Sequence, residues 1–108
     1  MQVWQDSMSL AKKVYRLIKN FPEDERFGLT LQMKRSAIPI PSNIAEGAAR
    51  NSKREFEHFL YIALGSLSEL DTQWLLAFEL GMTKEKPEMH ITPIRKMLLG
   101  LIKHIKGT

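Results

Sequence analysis

The 108-residue chain contains no cysteine. That absence excludes disulfides, thiolate zinc sites and cysteine nucleophiles, and it fits a reducing compartment. Long hydrophobic runs are also missing: no stretch reaches the roughly 18 uninterrupted apolar residues of a membrane span. The opening residues Met1-Gln2-Val3-Trp4-Gln5-Asp6 lack the basic start and apolar core of a secretory signal. A cytoplasmic protein without a membrane partner is therefore expected. No run of β-branched residues alternates apolar with polar, so no strand is predicted. What is present is a chain 44% hydrophobic and 26% charged, enough apolar side chains for a core and too many for a disordered tail. Its length suits a single domain over residues 1–108 and excludes a two-domain enzyme.

Apolar residues recur every 3.6 positions, which predicts an all-α protein. The first helix is expected over about residues 3–20. Trp4, Met8, Ala11, Tyr15 and Ile18 form one stripe and Leu10, Val14, Leu17 and Phe21 the next, together a wide core-facing strip. The second is expected to open at Glu23, Asp24 and Glu25, where carboxylates suit the positive end of a helix dipole. Its stripe runs through Leu29, Met33, Ala37, Ile40 and Ile44 to Gly47, which permits a left-handed C-terminal turn. Pro39 and Pro41 each remove an amide donor and push the preceding residue from helical angles, predicting a break or strong kink at 38–41. Ser52-Lys53-Arg54-Glu55 has capping-box spacing and opens the third helix, which stops at Gly81. A fourth starts at Thr83 or at Thr92-Pro93, leaving 84–92 open, and continues along Ile94, Leu98, Leu101 and Ile105. Short connections make consecutive helices antiparallel neighbours, so the expected architecture is an up-down-up-down four-helix bundle.

The third helix predicts an interface. Between His58 and Phe78 only Glu69 and Asp71 carry formal charge. Phe59, Leu60, Ala63, Leu67, Leu70, Trp74, Ala77 and Phe78 share one arc, yet Ile62, Leu76 and Leu80 lie opposite, beside Gly65, Ser66 and Gln73. A helix uncharged nearly all round is buried all round. At about 28 residues it spans roughly 42 Å, too long for a small monomer to cover on both sides, so a second copy of the chain is expected against it. The alternative is a back face covered by the bent second helix alone. On that second helix, Gln32, Ser36, Asn43 and Glu46 recur at helical spacing. Either they form a hydrogen-bonded network with Ser66, Glu69 or Gln73, or they are a solvated edge.

Catalytic chemistry finds little support. Glu55 and His58 form one Glu-x-x-His pair, half of what a di-iron bundle needs, and no second pair exists in the chain. No metal, cofactor or catalytic residue is assigned, because nucleophile elbows and glycine-rich phosphate loops are lacking as well. Charge, by contrast, is unevenly placed. Residues 1–21 carry four basic and one acidic residue for +3, residues 82–108 six and two for +4, while residues 42–81 sum to −3. Lys12, Arg16 and Lys19 lie along one stripe of the first helix, and Lys96, Lys103 and Lys106 along one stripe of the fourth. Arg50, Lys53 and Arg54 add a basic corner. Such clusters neutralise phosphates without reading sequence; a lysine-rich face also serves solubility alone. No exposed aromatic platform and no helix-turn-helix signature is evident.

Three blocks carry a family resemblance. Phe21-Pro22-Glu23-Asp24-Glu25-Arg26-Phe27-Gly28-Leu29-Thr30 with Gln32, Ile40-Pro41-Ser42-Asn43-Ile44-Ala45-Glu46-Gly47, and Phe59-Leu60-Tyr61-Ile62-Ala63 with Gly65-Ser66-Leu67-Ser68-Glu69-Leu70 resemble the four-helix-bundle proteins encoded in intervening sequences of bacterial 23S ribosomal RNA. The resemblance implies a homo-oligomeric ring, a pentamer, with no established catalytic activity. It also implies likeness to the accessory variability proteins of diversity-generating retroelements, which work with a reverse transcriptase and RNA. The expected interface comprises Ile62, Ser66, Glu69, Gln73, Leu76 and Leu80 with Asn43 and Glu46; the expected partners are RNA or DNA, or a reverse transcriptase. Two departures stand out. Pro39 replaces a common serine, sharpening the bend, and Leu64 replaces a common basic residue, removing a charge from the third helix.

Overall fold

The computed structural model describes residues 1–107, and among these there are helices and no strands. Helix α1 spans Gln2–Ile18, α2 Leu29–Ala37, α3 Pro39–Ala48, α4 Lys53–Glu79 and α5 Glu88–Lys106. Because α2 and α3 abut at Ile38, the architecture is a four-helix bundle in which the second rod is interrupted. Helix α1 packs on α2, α3 and α5, whereas α4 packs on α2, α3 and α5 but not on α1. The first and third rods therefore occupy opposite corners. Val14, Met33, Ile40, Ile44, Leu60, Leu67, Leu70, Trp74, Ile91 and Leu98 fill the space between the rods and are almost completely buried. Helix α4, 27 residues at 1.5 Å rise each, accounts for about 40 Å of the 47 Å long axis.

Several local expectations are corrected. The acidic run Glu23–Glu25 forms a short 3-10 turn, not the first turn of a helix. Its last member instead reaches forward, Glu25 Oε1 accepting the Leu29 amide at 3.0 Å, so α2 starts at Leu29. Ile38, expected to leave helical angles before Pro39, keeps φ −62° and ψ −43°. Long bonds of 3.3 Å on either side, Ile38 N–H to Lys34 and Ser42 N–H to Ile38, hold it in place, and Pro39 sits at the start of α3, where a missing donor costs least. Gly47 is not a left-handed cap: it lies buried within α3. A Cβ there would stand 2.8 Å from Phe59 Cβ and 3.2 Å from the Phe56 carbonyl, so glycine serves the close approach of α3 to α4. The positive φ belongs to Gly81, at 79°, just beyond α4.

Helix α5 begins at Glu88, with Pro93 inside it. Thr83 does not cap a helix; its Oγ1 accepts the Glu85 amide at 3.1 Å in a local turn. That turn is anchored by Trp74, whose Nε1–H donates to the Glu85 carbonyl at 2.9 Å, and by Lys13, 2.9 Å from Glu85 Oε1. His90 stacks on Trp74 with ring centroids 5.1 Å apart. On α1 the core stripe is Val3, Ser7, Leu10, Val14 and Ile18. Trp4 and Tyr15, placed in the core strip by their spacing, are instead 37% and 39% exposed. The buried strip is narrower than the spacing predicts, since a corner helix buries only the arc facing its neighbours.

Candidate nucleic-acid interface

The outward face of α1 collects three cations by helical geometry alone. Lys12, Arg16 and Lys19 follow at steps of four and three residues, so they stack along one side. In the fold Lys12, Arg16 and Lys19 line one shallow depression together with Met8, Ala11 and Tyr15. None of the three has an ion-pair partner among the described residues. From α2, Lys34 adds a fourth charge, its Nζ 5.6 Å from the Tyr15 ring centroid. Sequence reasoning missed both Lys34 and the exposed aromatic beside it, because their proximity depends on how α2 crosses α1.

The other basic residues are more dispersed. Lys96 is exposed and borders a hollow with Glu88, Met89, Thr92 and Pro93; Lys103 is exposed as well. Lys106 turns away toward α4, donating to the Tyr61 hydroxyl at 2.8 Å and lying 3.5 Å from Glu57 Oε1. The Tyr61 hydroxyl, and after it Glu57, holds this ammonium above the usual lysine range. At the corner between α3 and α4, Arg50 is 2.6 Å from Glu46 Oε1 and 4.0 Å from Glu55 Oε1, and its guanidinium lies over the Phe59 ring. Arg50 and Arg54 line a hollow with Glu55, His58 and Phe59, and Lys53 is exposed. The corner thus carries its own carboxylates, and the α1 depression has none.

Glu55 and His58 take structural positions. The Ser52 Oγ accepts the Glu55 amide at 3.1 Å, the serine half of the capping box expected from the spacing, and the Glu55 carboxylate turns to the Ser52 hydroxyl, Oε2 at 3.3 Å. His58 is exposed and meets Phe59 edge-on. Among the described residues no group of three or more His, Asp or Glu is gathered as a metal site would require.

On α4 the residues opposite the core lie uncovered within the single chain. Ile62 is 39%, Leu76 46% and Leu80 61% exposed, and a Cβ at Gly65 would meet nothing within 4 Å beyond the adjoining backbone of its own helix among the described residues. The interrupted second rod does not cover this side. Ser66 and Gln73 are half-buried at its edge and Glu69 is exposed. Of the polar stripe on α2 and α3, one member crosses between helices: the buried Ser36 hydroxyl stands 2.8 Å from Gln73 Oε1 and 3.1 Å from the Gln32 carbonyl. Asn43 Nδ2 donates to the Pro39 carbonyl of its own helix at 2.8 Å, and Glu46 pairs with Arg50.

No helix is long and apolar enough to cross a membrane among the described residues. No curated protein matches the chain. Residues 1–102 do match the model of the 23S rRNA-intervening sequence proteins, so a helical bundle with this order of segments belongs to the 23S rRNA-intervening sequence protein family.

Proposed function

We propose that the chain is a non-enzymatic, cytoplasmic, homo-oligomeric bundle that binds RNA through its basic surface without strong sequence specificity. The observation that carries this reading is the α1 depression, where Lys12, Arg16 and Lys19 stand without carboxylates. Exposed cations at helical spacing release counterions when they meet phosphates, so affinity falls steeply with salt. The pairs Asp71 with Arg95 and Tyr61 with Lys106 support antiparallel α4 and α5, since one number falls as the other rises; Ser36 with Gln73 and Gly47 with Phe59 do the same for the second rod and α4. Pro39 and Pro41 support a bend in the second rod. The exposed Ile62, Glu69, Leu76 and Leu80, with half-buried Ser66 and Gln73 beside them, support assembly with further copies, and the family resemblance suggests a pentameric ring whose interface also takes in Asn43 and Glu46.

The test is retention on RNA at rising salt, with and without Lys12, Arg16 and Lys19 changed to Glu. A steep loss with salt and with charge reversal is expected; salt-insensitive binding, or none at low salt, overturns the reading. A second reading makes the ring rather than the charge the working surface: a scaffold for a locus-encoded enzyme such as a reverse transcriptase. It is favoured by a pull-down that survives nuclease and high salt.

A further inference from the structure

The α1 face holds more than charge. Tyr15 and Trp4 are eleven residues apart, three full turns, so their rings project from the same side at a spacing of roughly 16 Å. Both are more than a third exposed, in a bundle whose other tryptophan, Trp74, is completely buried. The Tyr15 ring is flanked by Lys34 at 5.6 Å and shares its depression with Lys12, Arg16 and Lys19. Trp4, Met8 and Ala11 line the adjoining groove with Ile38, Pro41 and Ala45. The nearest α1 carboxylate, Asp6, accepts from Gln2 and borders the hollow on the α5 side.

We propose that this face is a binding site for single-stranded RNA, with unpaired bases stacking on Tyr15 and Trp4 while Lys12, Arg16, Lys19 and Lys34 neutralise the phosphates between them. The proposal rests on the RNA-binding reading above and narrows it to one strand form and one surface. Aromatic rings interleaved with cations are how proteins hold single strands without reading sequence, because every base has a π-face. A duplex offers its phosphates but keeps its bases stacked on one another, so the rings gain nothing from it. Uncompensated positive charge on the rim also favours a polyanion over a second copy of this chain.

The experiment measures fluorescence anisotropy of a labelled 15-nucleotide RNA of mixed sequence, alone and annealed to its complement, against the full chain at low salt. The single strand is expected to bind at least ten-fold more tightly than the duplex and to quench the exposed Trp4 emission. Tyr15→Leu and Trp4→Leu, which keep charge and apolar area, should each weaken single-strand binding roughly five-fold or more and leave duplex binding within two-fold. Equal affinity for both forms, with silent leucine variants, overturns the stacking site while the broader reading stands. No binding of either form removes both. If either leucine variant lowers the mass seen by light scattering, another copy covers the face and the proposal fails.

Discussion

Helices α1 and α4 stand at opposite corners of the bundle, and each buries one stripe while leaving the other uncovered. Their uncovered sides differ in chemistry. On α1 the outward side is cationic, with Lys12, Arg16 and Lys19 around Tyr15. On α4 it is apolar at both ends, Ile62 at one and Leu76 and Leu80 at the other, with Ser66, Glu69 and Gln73 between. Exposed cations are well hydrated and need no cover, but they attract anions. An exposed apolar seam gains free energy by leaving water. The two corners thus differ in the partner we propose for each: a polyanion on α1, another copy's helix on α4.

The largest expected effect breaks the α4 side. Ile62→Glu combined with Leu76→Glu places charges in what we propose is a dry contact, where each unpaired charge costs several kcal/mol. Light scattering should then report a single-chain mass, with far-UV circular dichroism unchanged because both positions face solvent in the isolated chain. Next comes the α1 side. Reversing Lys12, Arg16 and Lys19 to Glu should lower the slope of log affinity for RNA against log salt by about 3, and the oligomeric mass should stay as it was. An exchange of these two phenotypes would invert the assignment of faces.

Smaller effects lie beneath each surface. Gly47→Val pushes a side chain into Phe56 and Phe59, so α3 and α4 must separate. A loss of about 1–3 kcal/mol in urea unfolding is expected, and an unchanged midpoint would mean that the two helices slide apart freely. Under the α1–α5 side, His90 Nε2 is buried without a hydrogen-bond partner among the described residues. His90→Phe keeps a ring on Trp74 and removes the orphaned nitrogen, which should raise stability by about 1 kcal/mol; a lower melting temperature would show that the nitrogen is satisfied.

Much of this architecture was legible in residue spacing. Of the stripe Leu29, Met33, Ala37, Ile40 and Ile44, all but the half-buried Leu29 are buried as their period requires; on α4 Leu60, Ala63, Leu67, Leu70, Trp74 and Ala77 are buried, while Phe59 and Phe78 are half-buried. Capping at Ser52 and the stop near Gly81 follow from side-chain and backbone chemistry that acts within four residues. Misreadings occurred where a long-range neighbour decided the outcome. Gly47 suits a left-handed turn by its type, but the approach of Phe56 and Phe59 makes it a packing glycine. Thr83 has the right type for a cap, yet the turn anchored on Trp74 and Lys13 delays α5 to Glu88. For the candidate interface, the cations of α1 were readable from spacing. Tyr15 and Trp4 were not, because amphipathic width says how many residues are apolar and leaves open which edge another helix covers.

Periodicity and local chemistry suffice for the helical class, the order of the rods, most of the inward stripes of α2 to α5 and the separation of basic from acidic segments. The packing of the helices decides which of them are neighbours, that α1 and α4 stand diagonally, and that Lys34 lies over Tyr15 beside three cations with no ion-pair partner among the described residues. Those features depend on where helices cross. Crossing is set by many small contacts between residues far apart in the chain, such as Gly47 against Phe59 or Ser36 against Gln73, and no single period records it.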